Sequence, residues 1–460
     1  MHLAAYLFQA LGLLSGYFQN WLLSPKYALN SDLRSNCSDA RAHYRDRPLF
    51  SGTLSTTTEK LVAPRFPYGS KKVRGVNIGG WLVLEPWITP SLFDNTGNNN
   101  IVDEWTFCSL QDRPAAATTL LNHWNTFYTE SDFAAIAAAG LNHVRVPIGY
   151  WAFDTSGGEP FINGQYPYLL RAVGWARNHG LFVIIDLHGV PGSQQNGFDN
   201  SGRRGLVNWP NQQSNIDRTN AMIKALAAEF SQASYANVVS AIQPINEPAG
   251  FVGGNILPVT RQYYYDSYGN IRVNGADVVE VLHDAFQDLS FWNGVMPYPT
   301  FNNVLMDTHH YQIFSTADLA KTWPQHIITA CQRGNAIASW AQATGNLWTI
   351  VGEWTTTPYD CAKYLNGRGL GSRYDGTYSG SSPLGVCWPF TGSSSIFNSG
   401  YKVFMRQFFE AQTSSFEKAA GWIYWAWKTE ATDEWSYQQG LAGGWIPYDP
   451  TQRLYPNICP

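Results

Sequence analysis

Eight short apolar segments recur along this 460-residue chain, and most of them are separated by a helical pattern. Continuous apolar strands of this kind are typical of a parallel sheet whose outer face is covered by helices. Eight of them predict an α/β fold, a single (β/α)8 TIM barrel over residues 73–460 with extended loops at its carboxyl-terminal face. The segments are VRGVNIGGWL (73–82), HVRVPIGY (143–150), LFVIIDLHG (181–189), VVSAIQPINEP (238–248), VVEVLHDAF (278–286), NVLMDTHHYQIF (303–314), LWTIVGEW (347–354) and GWIYWAWKTE (421–430).

The segments between the strands carry helix signals. Ser131 with Asp132 is expected to cap FAAIAAAG (133–140), and Gly180 ends a helical pattern that begins near Tyr166. Residues 355–400 are rich in Gly, Ser and Tyr and predict a long loop after the seventh strand, where loops usually carry function. Further helical patterns fill residues 216–230, 326–344 and 401–419.

The first 72 residues differ in composition from the rest. Residues 1–23 contain the apolar run LAAYLFQALGLL, which favours a secretory signal sequence, with an apolar anchoring segment as the alternative. Residues 24–72 are polar and rich in Pro, Ser and Thr, which predicts a linker, a pro-segment or a surface wrap. No other stretch is apolar enough to cross a bilayer, so we expect no membrane partner beyond this N-terminal segment.

Composition narrows the class of partner. The formal net charge of -4 gives no electrostatic case for binding nucleic acid or an anionic membrane. Aromatic residues make up 15% of the chain, including 19 Trp. Core packing accounts for most of these rings, but a ring-lined cleft is also expected, because the apolar faces of sugars stack on indoles.

The cysteines indicate whether the protein resides in an oxidising or a reducing compartment. There are six, with no CxxC pair and no zinc-type spacing. Their even number favours disulfides and an oxidising compartment, with scattered reduced core thiols as the alternative. The one N-x-S/T sequon, Asn36-Cys37-Ser38, is consistent with secretion.

Polar and aromatic side chains lie at the ends of most of the strands. The carboxyl-terminal ends of barrel strands converge on one mouth, so we expect these side chains to lie close together. Glu247 and Glu353 are expected to face each other across that mouth. The set is Arg145 on strand two, Asp186 and His188 on strand three, Asn246 and Glu247 on strand four, His309, His310 and Tyr311 on strand six, Glu353 on strand seven, and Trp425 and Trp427 on strand eight.

Two facing carboxylates suit the hydrolysis of a glycosidic bond. One, held protonated, assists the leaving oxygen, and the other, ionised, attacks the anomeric carbon. At a separation of about 5–5.5 Å the reaction retains configuration through a covalent intermediate. Asn246 is expected to bind the sugar 2-hydroxyl, and Pro248 to fix the turn so that Glu247 cannot swing freely.

Each of these motifs has a structural explanation when it is taken alone. Asn246 could cap a helix, a strand-end arginine often forms only an ion pair, and His309-His310 is more often packing than catalysis. Their joint placement at successive strand ends favours the catalytic interpretation. No G-x-S-x-G, P-loop, dinucleotide, H-x-H or HExxH motif is present, so neither metal nor cofactor is expected.

Longer motifs extend through the barrel segments: RGVNIGGWLVLEPWITPSLF (74–93), HWNTFYTESDF (123–133), VRVPIGYWAF (144–153), DLHGVPGS (186–193), NGFDNSG (196–202), DTHHYQIFS (307–315) and GWIYWAWKTE (421–430). Together with NEP (246–248) and VGEWT (351–355), they resemble the fungal exo-β-1,3-glucanases of glycoside hydrolase family 5. The resemblance runs from about residue 73 to the C-terminus. It implies a secreted or cell-wall, retaining enzyme that releases glucose from the non-reducing ends of β-1,3-glucan without a metal, and we expect a monomer.

The resemblance also implies roles for individual residues. Glu247 resembles the family's general acid/base, and Glu353 resembles its nucleophile. Glu85 resembles a glutamate at the base of the pocket that holds the terminal glucose, and Trp425 resembles the platform beneath that sugar. The other implied substrate contacts are Arg145, His188, Asn246, His309 and Tyr311 around the sugar, with Phe198 and Phe314 as an aromatic clamp at the entrance.

Disulfides are implied as well, between Cys331 and Cys459 and between Cys361 and Cys387, which would leave Cys108 free. These pairings come from the resemblance and not from the spacing of the cysteines.

One departure from the family is the pair Gln194-Gln195, because a single glutamine usually precedes NGFDNSG. The extra residue lies just before Phe198 and Asn200, so the orientation of both side chains depends on it.

Two other functions stay open. A family 5 relative that cleaves small β-glucosides or disaccharide conjugates such as rutinosides would share the motifs and differ in the loops around 94–118, 252–275 and 355–400. A barrel that binds glucan without cutting it would be expected to lack a carboxylate, and both are present. Exo rather than endo action is implied by the resemblance alone.

Overall fold

The computed structural model describes residues 62–343 and 345–459. The predictions for residues 1–23 and for most of the 24–72 segment lie outside the described residues. Among the helices of the described part, none is both long and apolar enough to cross a membrane.

Eight parallel strands form the closed barrel that the sequence predicts, with each strand paired to the next and the last paired to the first. They are β1 (Val73–Asn77), β2 (His143–Gly149), β3 (Phe182–Gly189), β4 (Val239–Gln243), β5 (Val279–His283), β6 (Val304–His310), β7 (Trp348–Trp354) and β8 (Gly421–Tyr424). Nearly all strand residues are buried, because side chains fill the barrel inside and helices cover it outside.

The α-helices of the described residues lie mostly between consecutive strands. They are α1 (Pro90–Asp94), α2 (Glu104–Ser109), α3 (Arg113–Thr126), α4 (Glu130–Ala138), α5 (Tyr166–Asn178), α6 (Gln213–Phe230), α7 (Ile256–Arg272), α8 (Thr316–Leu319), α9 (Trp323–Gln342), α10 (Ser399–Phe416) and α11 (Tyr437–Gly443). Short 3-10 turns occupy Tyr150–Ala152, Trp209–Asn211, Ala233–Tyr235, Gly250–Val252, Leu289–Trp292, Ser394–Ile396 and Asp433–Trp435. Between β5 and β6 the described chain forms only a 3-10 turn, so that repeat lacks its helix.

The amino-terminal end of the barrel is closed by residues that the sequence assigned to the linker. Phe66 and Tyr68 are buried in the apolar cluster inside the barrel. The ring centroid of Phe66 lies 4.5 Å from that of His143, edge to face. Arg65 donates hydrogen bonds to the carbonyls of Phe230 and, at 3.1 Å, Val239. The folded domain therefore begins before the boundary expected at residue 73.

A local hydrogen bond sets the start of α4, and it corrects the expected cap. The helix begins at Glu130, so Ser131 and Asp132 lie in its first turn and do not cap it. The capping residue is Thr129, whose backbone N–H donates to Asp132 Oδ2 at 2.9 Å. Thr129 and Asp132 form a capping box, in which the side chain of each binds the backbone N–H of the other. The sequence pattern placed the cap two residues too late, at Ser131.

The longest connection at the carboxyl-terminal face follows β7, as the composition of 355–400 predicted. Within the described chain it contains only the 3-10 turn Ser394–Ile396. A disulfide between Cys361 and Cys387 ties this loop to itself.

The second disulfide joins Cys331 in α9 to Cys459, 128 residues away, and Cys108 is buried and free. Both pairings are those that the family resemblance implies.

Candidate active site

The strand ends bring the expected polar side chains into one mouth. The pairing of β6 with β7 sets His309 beside Glu353, and the pairing of β1 with β2 sets Asn77 beside Arg145. Glu247 follows the last residue of β4 by four positions.

Two residues from the predicted set are bonded elsewhere. The neighbour of His309, His310, is paired with Gln312. Trp427 is buried in the core, where its Nε1 donates to Asp132 at 3.1 Å. Of the two strand-eight tryptophans, Trp425 is therefore the one that faces the site.

Glu247 is held by its backbone and by three side chains. Its φ of +43° is left-handed, a conformation that a residue with a side chain adopts only when its surroundings hold it there. Gln195 Nε2 donates both to the Glu247 carbonyl at 2.8 Å and to Oε2 at 2.9 Å. Asn200 Nδ2 donates to the same Oε2 at 3.1 Å, and His309 Nδ1 lies 2.6 Å from Oε1. No α-helix of the described chain begins at Asn246, so its role as a helix cap does not apply.

Glu353, near the end of β7, receives two hydrogen bonds. Arg145 donates from one guanidinium nitrogen to Oε1 at 3.0 Å, and the Tyr311 hydroxyl donates to Oε2 at 2.9 Å. The side chain is almost fully buried. Donors of this kind favour the ionised carboxylate, which is the form that an attacking nucleophile needs.

The distance between the two carboxylates is limited by how close each lies to one nitrogen of His309. His309 Nδ1 lies 2.6 Å from Glu247 Oε1 and 3.5 Å from Glu353 Oε2. These two oxygens can therefore be no farther apart than the sum of the two distances, about 6 Å. Retaining glycosidases hold their carboxyl groups about 5–5.5 Å apart and inverting ones about 6.5–9.5 Å apart, so this bound on one pair of oxygens is compatible with a retaining enzyme.

The three groups shift one another's pKa values. Burial alone would raise the pKa of Glu247, but its hydrogen bond with His309 and the charge of that imidazole outweigh burial and lower it to about 2. Burial raises the pKa of Glu353 to about 6, against the opposing charge of His309. Burial would lower the pKa of His309, but the charges of Glu353 and Asp307 raise it well above its usual value.

These directions put the available proton on His309 in the sugar-free site. The sequence interpretation expects it on Glu247, the residue in the position of the acid. Because the two atoms are 2.6 Å apart, one proton serves both groups. The physical reason for the difference is the buried negative charge around His309, which the sequence pattern does not reveal.

Arg145 lies at the base of the site and holds several of its side chains in place. It is fully buried, and it donates hydrogen bonds of 2.7 to 3.0 Å to acceptors from several strand ends. Asp186 Oδ2 lies 3.1 Å away and balances its charge. The hydrogen-bond acceptors are Gln243 Oε1, Asn77 Oδ1, Glu353 Oε1 and Asn246 Oδ1.

Replacing Arg145 by lysine is expected to lower kcat/KM at least about 100-fold, because a point-like ammonium cannot reproduce the fork of donors that orients Glu353 and Asn246. The free energy of unfolding is expected to fall by about 3–5 kcal/mol, since one ammonium cannot pair with both buried carboxylates and also satisfy the buried amide oxygens that the guanidinium binds. Urea unfolding and steady-state kinetics measure both effects. The matched control is the exposed Arg177, whose replacement by lysine should change stability by less than about 0.5 kcal/mol. Equal changes in kcat/KM and in stability for the two variants would contradict the role of Arg145 in orienting Glu353 and Asn246.

Several buried polar atoms at the site have no partner among the described residues, and two of them, His188 Nε2 and Asn246 Nδ2, belong to predicted substrate contacts. Each side chain is fixed through its other polar atom: His188 Nδ1 lies 2.6 Å from Asp186, and Asn246 Oδ1 accepts from Arg145 at 2.7 Å. A carboxylate only accepts, so Nδ1 donates to Asp186. His188 Nε2 and the Asn246 amide N–H therefore remain for a hydroxylated ligand.

Trp425 and Glu85 border this region. The Trp425 ring stacks on His188, with centroids 5.6 Å apart and planes 16° apart. Glu85 is buried and accepts from Trp87 Nε1 at 3.0 Å. Burial, with the charges of Asp199 and Glu353, raises the pKa of Glu85 well above its usual value. Their roles as sugar platform and pocket base stay predictions.

Phe198 and Phe314, the expected clamp, lie next to each other with ring centroids 6.3 Å apart. Each ring is 37% exposed, as residues at an entrance would be. Phe314 also lies 5.5 Å from the ring of Tyr311, whose hydroxyl binds Glu353. The pair is therefore adjacent to the carboxylates, and its clamp role stays a prediction.

Sequence reasoning missed the residues that hold Glu247 from the loop after β3. Gln194 Nε2 donates to the carbonyls of His188 and Asn246, each at 2.8 Å. Gln195 donates to Glu247, so both members of the departure from the family pattern are used. The doubled glutamine was the available signal, because polar residues beside a catalytic motif need buried partners.

One group of side chains has the composition of a metal site. Glu247, His283 and His309 each place a ligand-type atom within 4.8 Å of the others. The 2.6 Å hydrogen bond between Glu247 and His309 already occupies two of these atoms. We assign no metal to the group, and the absence of a metal from the reaction stays a prediction.

Residues 108–367 match the family model for cellulase (glycosyl hydrolase family 5). The chain is 45% identical over 395 residues, 86% of its length and 92% of the relative's, to the probable glucan 1,3-beta-glucosidase A of Aspergillus niger. The chain belongs to glycosyl hydrolase family 5. This family 5 chain is also 45% identical over 399 residues to the glucan 1,3-beta-glucosidase of Blumeria graminis, covering 86% of this chain and 91% of that one.

A solved structure shares the fold of this family 5 glycosidase. The rutinosidase from Aspergillus niger superposes with a TM-score of 0.64, covering 84% of this chain and 99% of that one. Its sequence identity is 19%, so the likeness concerns the barrel and not the substrate.

Proposed function

We propose that this glycosidase is a retaining, exo-acting enzyme that releases glucose from the non-reducing ends of β-1,3-glucan. The observation that carries the proposal is the single imidazole nitrogen that lies 2.6 Å from Glu247 and 3.5 Å from Glu353. It supports a pair of carboxylates at the separation of a double displacement. Relatives at 45% identity, named glucan 1,3-beta-glucosidases, support the substrate.

In the first step Glu353 attacks the anomeric carbon and forms a glycosyl ester, while Glu247 gives its proton to the departing oxygen. In the second step Glu247 removes a proton from water, which attacks the ester and releases glucose with its original configuration. Arg145 and Tyr311 orient Glu353 throughout by the hydrogen bonds that they donate to it.

The terminal glucose would lie between the unpartnered polar atoms and the Trp425 ring. The unpartnered amide nitrogen of Asn246 is the donor available to the sugar 2-hydroxyl, and His188 Nε2 is available to a neighbouring hydroxyl. Burial raises the pKa of Glu85 well above its usual value, and in its protonated form this side chain can donate as well as accept at the pocket base. Phe198 and Phe314 would hold the next sugar at the entrance.

The proposal is tested by incubating the purified protein with laminarin, an aryl β-glucoside and rutin in parallel, with Glu353→Gln as the inactive control. Glucose is expected as the only early product from laminarin, with activity on the aryl glucoside. Early oligosaccharides would contradict exo action, and activity confined to rutin would favour the diglycosidase. Binding of laminarin without any hydrolysis would favour the non-catalytic barrel.

The pH dependence follows from the same groups. Activity needs Glu353 ionised, so kcat/KM is expected to rise as the pH passes its pKa of about 6. Activity also needs the proton shared by His309 and Glu247, so it should fall at a pH above the ordinary histidine value of 6.5. A kcat/KM profile on the aryl glucoside measures both limbs. A profile that lacks the high-pH limb would contradict the assignment of the shared proton.

Secretion of a monomeric enzyme is part of the proposal. Disulfides persist in oxidising compartments, and two are formed here. Detection of the chain in culture medium and in the cell wall, against a cytosolic marker, tests the location. Recovery with the cytosolic marker alone would contradict it.

A further inference from the structure

Asp307 is a fully buried carboxylate behind the catalytic pair, and the proposed mechanism leaves it without a role. The backbone N–H of Gly352 donates to its Oδ1 at 2.7 Å, and Gln243 Nε2 donates to its Oδ2 at 3.0 Å. The same Oδ2 lies 3.3 Å from His309 Nε2. Donors from three different strands therefore fix one carboxylate directly behind the imidazole.

The glycine before Glu353 makes room for this carboxylate. A Cβ built on Gly352 would lie 2.3 Å from both oxygens of Asp307, closer than any real contact. The space that a side chain at 352 would fill is thus occupied by the Asp307 carboxylate. The Asp307 carboxylate can therefore occupy its position only because residue 352, on the neighbouring strand, is a glycine.

We propose that Asp307 is a positioning residue that keeps a proton on His309, so that His309 stores the proton that Glu247 delivers to the leaving oxygen. The inference rests on the proposed glycosidase function and adds to it the source of the acid's proton. His309 stands between Asp307 at Nε2 and Glu247 at Nδ1, which is the geometry of a relay.

Protons are conserved over the two half-reactions. In the free enzyme His309 carries protons on both nitrogens, with Nδ1 next to Glu247 and Nε2 next to Asp307. On glycosyl transfer the Nδ1 proton passes to Glu247 and from there to the leaving oxygen, while the other proton stays on Nε2, hydrogen-bonded to Asp307, and the ring becomes neutral. In the second half-reaction Glu247 takes a proton from the attacking water and returns it to Nδ1, which restores the starting state.

The groups around His309 favour this storage. Glu353, Asp307 and Glu247 face it with negative charge, and Asp284 at the end of β5 adds to that charge. His283 packs edge to face with its ring centroid 4.3 Å away. Burial lowers the pKa of His283 to about 3, and its Nδ1 accepts the N–H of Ala285 at 3.0 Å, so it stays neutral. The buried cation on this side is Arg145, which is already paired with Asp186 and Glu353.

Asp307→Asn tests the inference, with Asp284→Asn as the matched control. Both changes remove one buried carboxylate from neighbouring strand ends, but only Asp307 contacts His309 through a hydrogen bond. Loss of the Asp307 charge should lower the proton affinity of His309, so the high-pH limb of kcat/KM should move down by about one to two pH units. The limb set by Glu353 should stay in place.

Leaving groups give a second readout. Asp307→Asn should lower kcat/KM on laminaribiose at least about tenfold, because a poor leaving group needs the proton, while dinitrophenyl glucoside should be nearly unaffected. Asp284→Asn removes a charge near His309 but no hydrogen bond to it, so it should move the limb less than Asp307→Asn does and leave the ratio between the two substrates unchanged. An unmoved high-pH limb in an active Asp307→Asn enzyme overturns the inference and leaves the glycosidase function intact. A wild type that hydrolyses neither substrate overturns the function itself.

The wild-type protein provides a test that does not depend on the variant's folding. Nitrogen NMR of histidine-labelled protein, with His309 assigned by difference from His309→Asn, reports where its protons lie. A proton on Nε2 that persists on both sides of the high-pH limb is expected. A neutral ring protonated only at Nδ1 would overturn the inference.

Discussion

Replacing Glu353 by glutamine is expected to lower kcat for an aryl β-glucoside by at least about 10⁴-fold, a loss of the size seen when a catalytic nucleophile is removed. The amide has no negative charge and is too weak a nucleophile to attack the anomeric carbon. The change keeps the shape of the side chain, so the loss should appear in kcat and not in folding. Steady-state kinetics and a thermal unfolding curve measure the two quantities.

The control for this variant is Glu280→Gln. Glu280 is an equally buried glutamate on β5 whose carboxylate accepts from Ser267 of α7, outside the barrel mouth. This control should keep wild-type kcat, although its stability can change. If Glu353→Gln retained more than about a tenth of wild-type kcat, another residue would have to be the nucleophile.

The second large effect is expected at Glu247, and it should depend on the leaving group. Glu247→Ala removes the general acid, which contributes about 10²–10⁴-fold where the departing oxygen needs a proton. The rate of the glycosylation step with laminaribiose should therefore fall by that factor. Dinitrophenyl glucoside departs without assistance, so glycosylation should be nearly unaffected and the glycosyl–enzyme ester should accumulate.

Azide provides the complementary observation for Glu247→Ala. The shortened side chain leaves space beside the ester, and azide needs no general base to attack it. Azide should therefore accelerate turnover of the activated substrate and yield β-glucosyl azide. The matched variant Glu247→Gln keeps the volume filled and should be rescued less. Equal loss on both substrates, without rescue, would contradict the acid/base role.

The barrel could be predicted from the sequence because its strands are local signals. Each strand is a short apolar run that depends little on distant residues, and all eight predicted segments contain a strand of the structure. The same rhythm located Glu247 and Glu353 at strand ends, which sufficed to bring them into one mouth. The disulfides of Cys331 and Cys361 needed the family resemblance, since spacing does not define connectivity.

What could not be predicted depends on contacts between distant residues. The hydrogen bonds from Gln195 to Glu247 and from Gly352 to Asp307 cross 52 and 45 positions of the chain. The burial of Phe66 beneath the barrel likewise depends on strands far along the sequence. The location of the shared proton depends on the summed charge of several such residues around His309, which no local pattern encodes.

The configuration of the first-formed sugar tests the central claim most directly. Two carboxylates whose facing oxygens lie no more than about 6 Å apart leave no room for water between the sugar and the attacking group, so the reaction should retain configuration. Proton NMR of laminarin hydrolysis, recorded before mutarotation, should show β-glucose appearing first. If α-glucose appears first, the enzyme inverts, and Glu353 cannot be the nucleophile of a double displacement.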